Sequence, residues 1–132
     1  MENPRVKLKV LRKKNPQSPQ DPEKYYVHAV KSANVNLDWL ARLISNQSTV
    51  RKPDCLAVLS ACVDNMIDEL SRGSVVSLGS LGSFQVSVRS LGSDKPEQVS
   101  LNNVKSSHLI FRPSPEVKAA LRNMKFTLSD AD

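Results

Sequence analysis

Three of the four glycines fall within ten residues, in the stretch RGSVVSLGSLGSF from Arg72 to Phe84. Such a run has two chemical uses. Its bare backbone N–H groups can cradle a phosphate, or its freedom at positive φ can turn the chain through a corner. A phosphate-binding loop of the Walker type needs Lys and Ser/Thr directly after its last glycine, with a helix following. Here Ser83 and Phe84 follow Gly82, and the next residues alternate in polarity as a strand does. Gly79 and Gly82 therefore read as a tight connection between strands, and Gly73 as the residue that ends the preceding helix.

Other reactive residue types are sparse. Cys55 and Cys62 are seven apart in a helical stretch, so their Cα atoms lie about 10 Å from each other, too far for a disulfide. They read as small apolar residues on one helix face, in keeping with a reducing compartment. His28 and His108 lack ligand spacing. No nucleophile stands beside a base, and no paired carboxylates are framed by glycine. The sequence argues against an enzyme and for no metal, cofactor or small-molecule substrate.

Charge is more informative. The net charge is +6 and it is uneven. Residues 1–35 hold eight Lys/Arg against three Asp/Glu, residues 36–72 four against five, and residues 73–132 seven against five. A basic surplus favours a polyanionic partner, nucleic acid above all, although a soluble protein can also simply be basic. No run of 18 apolar residues occurs, and MENPRVKLKV has no apolar core of signal-peptide length. The expectation is a cytoplasmic protein with no membrane partner.

The elements that must position these residues follow from periodicity. In RVKLKVLRKKNP, Val6, Leu8 and Val10 alternate with Arg5, Lys7 and Lys9, a half-buried strand. KYYVHAV, Lys24 to Val30, is a second strand. The proline-rich NPQSPQDPEK between them reads as an exposed, extended loop. NVNLDWLARLIS switches to helical spacing, with Asn36 as N-cap. PDCLAVLSACVDNMIDELSRG is the strongest helix, and its stripe comprises Leu56, Leu59, Val63, Met66, Ile67 and Leu70. In SVVSLGSLGSFQVSVRSLG, Phe84, Val86 and Val88 alternate with Gln85, Ser87 and Arg89 as a strand, and VKSSHLIF returns. RPSPEVKAALRNM closes with Ser114 as N-cap and Pro115 at the first helical position. The order is β-β-α-α-β-β-α, and the length suits one domain.

Two helices followed by SRGSVVSLGSLGSFQVSVRS, a returning strand and FRPSPEVKAALRN resemble HU and integration host factor, the bacterial histone-like DNA-bending proteins. Leu81-Gly82-Ser83-Phe84 stands where that family has Phe-Gly-x-Phe, with Ser80 in the slot of the motif's first glycine. Phe111-Arg112-Pro113 matches its Phe-x-Pro. The resemblance covers roughly Asn36 to Met124, and the N-terminal hairpin resembles an extension found in an HU-related subgroup.

What the resemblance implies is an α+β fold, an intertwined HU/IHF-like homodimer with a helical base and β-hairpin arms, here with an extra N-terminal β-hairpin. The expected segments are a basic hairpin over 1–35, the HU/IHF-like domain over 36–126 and a disordered tail over 127–132. The expected partners are double-stranded DNA, bent without sequence preference in the nucleoid, and a second copy of the chain. The dimer interface would comprise the stripe Leu56, Leu59, Val63, Met66, Ile67 and Leu70 together with Phe84 and Phe111. DNA would meet Arg89, Lys95, Pro96 and Lys105 on the arm and Ser83, Arg112, Lys118 and Arg122 on the body. Ser83 is also readable as a plain turn residue, and Lys118 with Arg122 as a solvated helix face. Pro96 falls near the arm tip, where the family's wedge proline stands, preceded by Lys95 in place of Asn. The arm VRSLGSDKPEQVSLNNVKSS departs from the family in carrying few cations. Arg12, Lys13 and Lys14, beside the proline-rich loop, are the candidates to compensate. The alternative is a structural or protein-interaction homodimer that kept the fold and lost most DNA binding.

Overall fold

The computed structural model describes residues 4–129. It divides into two compact units, one running from Asn36 to Ala119 and the other combining the chain up to Val35 with the chain from Ala120.

The central unit opens with α1 (Leu37–Gln47), where the Asn36 side chain accepts a 2.9 Å hydrogen bond from the Trp39 N–H as an N-cap does. Helix α2 (Lys52–Ser71) packs against it. Its C-terminus closes through two hydrogen bonds, Gly73 N–H to Leu70 C=O at 3.0 Å and Ser74 N–H to Glu69 C=O at 3.1 Å. Gly73 adopts φ +83° there. This paired arrangement satisfies carbonyls the helix would leave open.

An antiparallel sheet follows, in the order β3 (Val76–Leu78), β4 (Gly82–Ser90), β5 (Val104–Pro113). Its register sets Phe84 opposite Phe111 and Ser83 opposite Arg112. The corner between β3 and β4 uses the two glycines differently. Gly79 turns at φ +51° in open space, whereas Gly82, at φ +144°, passes so close to β5 that a Cβ would run into the Arg112 carbonyl oxygen. Helix α3 (Pro115–Arg122) starts beside this corner. The Ser114 hydroxyl donates to the Ser80 carbonyl and accepts from the Val117 N–H, while the Ser114 N–H donates to the Leu81 carbonyl at 3.1 Å.

The other unit is a three-stranded sheet in the order β2 (Lys24–Ala29), β1 (Arg5–Lys13), β6 (Lys125–Leu128). The first two strands form the expected hairpin. The third runs parallel to β1, pairing Val6 with Phe126 and Leu8 with Leu128. Here the structure departs from the sequence expectation, because a strand occupies 125–128 where the domain was to end at 126 and a tail to begin. Residues 130–132 of that tail lie outside the described residues. The proline-rich connection is also less extended than its composition implies. It folds into successive turns, Ser18 N–H to Asn15 C=O and Asp21 N–H to Ser18 C=O.

Among the described residues only two apolar side chains are fully buried, Ala41 at 0 % and Cys55 at 4 % exposure, and no large side chain is. Both cysteines are free thiols, with Cys62 half-buried. No helix among the described residues is long and apolar enough to cross a membrane.

The two corner glycines should separate in urea denaturation. Gly79→Ala meets only the left-handed backbone penalty of about 1–2 kcal/mol. Gly82→Ala adds a steric clash with backbone and should lose about 3 kcal/mol or more. Equal losses would show that the close approach at Gly82 is not a constraint.

Candidate nucleic-acid interface

The two faces of β3-β4-β5 are chemically opposite, because side chains alternate across a strand. One face carries Val76, Leu78, Phe84, Val86, Val88, Leu109 and Phe111. The Phe84 and Phe111 rings stack with centroids 4.9 Å apart. The other face carries Ser83 opposite Arg112, Gln85 opposite Ile110, Ser87 opposite His108 and Arg89 opposite Ser106. The ladder therefore places Ser83, Arg112 and Arg89 together on the polar face and Phe84 and Phe111 on the apolar one. Counting from Arg112 in steps of two also reaches His108, which sequence reasoning left out although the alternation was there to be read. Gln85 shares that face.

The strands extend into an arm. Nine residues of β4 span about 30 Å. The register slips between Arg89 and Ser90, and Lys105 falls in that irregularity, between Val104 and Ser106. Beyond it the tip is a folded loop. It holds two short 3-10 turns, Pro96–Gln98 and Leu101–Asn103, and the Asn103 side chain ties the second of them back to the start of the loop. Asn103 Nδ2 donates to the Leu91 carbonyl at 3.0 Å and the Ser93 hydroxyl at 2.8 Å, its Oδ1 accepts from the Ser100 N–H at 2.9 Å, and its carbonyl accepts from the Leu91 N–H at 2.8 Å. Lys95 and Pro96 lie on this tip, exposed. So does Leu101, at 89 % exposure, a large apolar side chain that sequence reasoning missed.

Lys118 and Arg122 are exposed on α3. Among the described residues, none of Arg89, Lys95, Lys105, Arg112, Lys118 and Arg122 is in an ion pair. The N-terminal trio is not one loop cluster. Arg12 and Lys13 belong to β1 and point to opposite faces of its sheet, and only Lys14 follows the strand. Arg12 is held by Glu23 in an ion pair. Of the expected interface stripe, Leu56, Leu59, Met66 and Leu70 are half-buried and Val63 and Ile67 exposed.

Helices feeding a glycine-cornered sheet, an arm with a proline at its tip and a helix begun by Ser114-Pro115 together form an HU-like α+β fold. The sequence profile of HU domains fused to a winged helix-turn-helix, Ig or glycine-rich motif matches residues 5–128. The chain belongs to this HU-HIG family. The match takes in the N-terminal hairpin and β6 as well as the HU-like part. Among solved structures, HU-HIG architecture is approached by a protein from Bacteroides vulgatus, described provisionally as a bacterial DNA-binding protein, at 10 % identity and TM-score 0.63. That likeness covers 93 % of this chain and 47 % of the other, so the chain spans about half the length of that relative. Anabaena HU, solved in a cocrystal with DNA, matches at 22 % identity and TM-score 0.52, covering 66 % of this chain and 97 % of the HU chain. No curated protein matches the sequence.

The tip gives a local prediction. Asn103→Ala removes three side-chain hydrogen bonds, each worth about 1 kcal/mol. Hydrogen exchange of the Leu91 and Ser100 amides should accelerate by at least about tenfold, with global unfolding almost unmoved. Unchanged exchange would mean that the tip is held by something other than Asn103.

Proposed function

We propose that this HU-HIG chain binds double-stranded DNA without sequence preference and bends it, as a nucleoid-associated homodimer. The observation that carries the reading is the division of β3-β4-β5 into an apolar face and a polar, cationic one. The apolar face is wet in a single chain, with Val86, Val88, Leu109 and Phe111 all exposed, as are Val63 and Ile67 of α2. A second copy is the occupant that an HU fold supplies for such surfaces, each side chain gaining about 1.5–3 kcal/mol from full burial. The opposite face, with Arg112, Arg89 and the hydroxyl of Ser83, is then left for phosphate. Such contacts position a protein without reading sequence.

Bending is assigned to the tip. Apolar side chains that enter the minor groove unstack a base step and kink the duplex. Pro96, Val99 and Leu101 are apolar side chains exposed on the folded loop, and Leu101, at 89 % against 59 % for Val99, stands out furthest. The arm offers Arg89, Lys95 and Lys105 against Asp94 and Glu97, so the body and α3 carry more of the electrostatic attraction. The low charge of the arm is the one feature that favours the second reading, an HU-fold homodimer acting on protein partners.

Fluorescence anisotropy of a labelled duplex across a salt series decides between them. Arg112→Gln with Lys118→Gln should weaken binding to all sequences alike. The same pair should flatten the slope of log affinity against log salt by about 0.9 for each phosphate that is no longer neutralised. A wild-type chain that ignores duplex even at low salt would establish the protein-interaction reading. Energy transfer between duplex ends tests the tip separately. Pro96→Ala with Leu101→Ala should abolish most of the bend while affinity changes by only a few fold, and an unaltered bend would remove the wedge from the mechanism.

A further inference from the structure

The sheet β2-β1-β6 is also two-faced, and one face carries six Lys/Arg and no acid. Alternation along β1 puts Arg5, Lys7, Lys9 and Lys13 on one side with Leu11. The register brings Lys24, Tyr26 and His28 of β2 beside Lys13, Leu11 and Lys9, and Lys125 and Thr127 of β6 beside Arg5 and Lys7. No Asp or Glu stands on this face of the three strands. Among the described residues none of its six Lys/Arg is in an ion pair. The opposite face holds Val6, Leu8, Val10, Val27, Ala29, Phe126 and Leu128. There the one strand cation of β1, Arg12, does have its acid, Glu23.

We infer that this cationic face is a second docking surface for the phosphate backbone of duplex DNA, distinct from the polar face of β3-β4-β5. The inference rests on the proposal that DNA is the partner. Like charges directly across a ladder destabilise it, and here Lys13 faces Lys24 and Arg5 faces Lys125. Solvation alone calls for both signs interspersed, so a face of one sign is better matched to a polyanion that relieves the repulsion. Spacing agrees. Alternate residues along a strand recur at about 6.8 Å, two steps of the roughly 3.4 Å axial charge spacing of one DNA strand. The row from Arg5 to Lys13 is about 27 Å long by the same rise. At the hairpin end, Lys13, Lys14, Lys24, Tyr26 and His28 line a cleft of about 560 Å³, with Asp21 as its acid. A lipid surface is the poorer match, since the apolar side chains that would enter it lie on the other side of the sheet.

The test uses the full chain and a labelled duplex. Lys7→Gln, Lys9→Gln, Lys24→Gln and Lys125→Gln together should leave the melting temperature unchanged or raised. They should flatten the salt slope by about 0.9 for each phosphate left unneutralised and weaken binding more than tenfold at about 0.1 M salt. In the wild-type chain, duplex should protect these lysines from acetylation while Lys52, which is paired with Asp38, stays reactive. If the wild type binds and the quadruple variant keeps its affinity and slope, with the lysines unprotected, this inference falls and DNA binding by the β3-β4-β5 face stands. If the quadruple variant loses binding but Arg112→Gln with Lys118→Gln does not, the β2-β1-β6 sheet is the DNA site and the β3-β4-β5 face is not. Lysines protected by phosphatidylserine vesicles and not by duplex would overturn the inference in favour of a membrane.

Discussion

One copy of this chain does not enclose a core, and the rest of the structure depends on that constraint. Only Ala41 and Cys55 are fully buried among the described residues. The large apolar side chains of α2 and of β4 and β5 sit half-buried or exposed. Water contact at so many Val, Leu, Ile and Phe side chains forgoes the main favourable term in folding. In the proposed homodimer those surfaces become interior. The same step settles which face of β3-β4-β5 remains outside, because a sheet that gives its Phe84–Phe111 face to a partner copy has only its Ser83–Arg112 face to offer to DNA.

The corner glycines serve this division. Gly79 and Gly82 let β3 turn into β4 with β5 almost touching the backbone at Gly82, and Ser114 ties the corner to the start of α3. Ser83 and Arg112 are thereby fixed as cross-strand neighbours at the root of the arm. Of the two chemical uses of a glycine run, this one serves geometry, since the residues turn a corner and permit a close approach. In the proposed complex with DNA the phosphate contact there falls to Ser83 and Arg112, which the corner holds in place.

Much of this was legible locally. The helix ends at Asn36, Gly73 and Ser114 follow from residue type, and the two-residue alternation of β1, β4 and β5 assigns their faces once a register is known. The stripe on α2 and the two phenylalanines could be named from spacing. What escaped depends on partners distant in the chain. Lys125–Leu128 is four residues long and becomes a strand only through parallel pairing with β1, from the other end of the sequence. The order of the arm tip rests on Asn103 reaching back to Leu91 and Ser93. Arg12, Lys13 and Lys14 look like one basic cluster in the sequence, but a pleat separates the first two, and Glu23 neutralises only Arg12. The charge surplus of the N-terminal segment was visible, whereas its concentration on one sheet face required the register of all three strands.

Completion of the fold by a second copy can be read from equilibrium unfolding against protein concentration. For coupled folding and association, the urea midpoint should rise with chain concentration, and sedimentation equilibrium in buffer should give twice the 14.6 kDa chain mass. Met66→Asp should lower the midpoint and dissociate the protein together, since a carboxylate in an apolar interface is costly. A monomer at micromolar concentration, with a midpoint independent of concentration, would show that one copy folds without a partner.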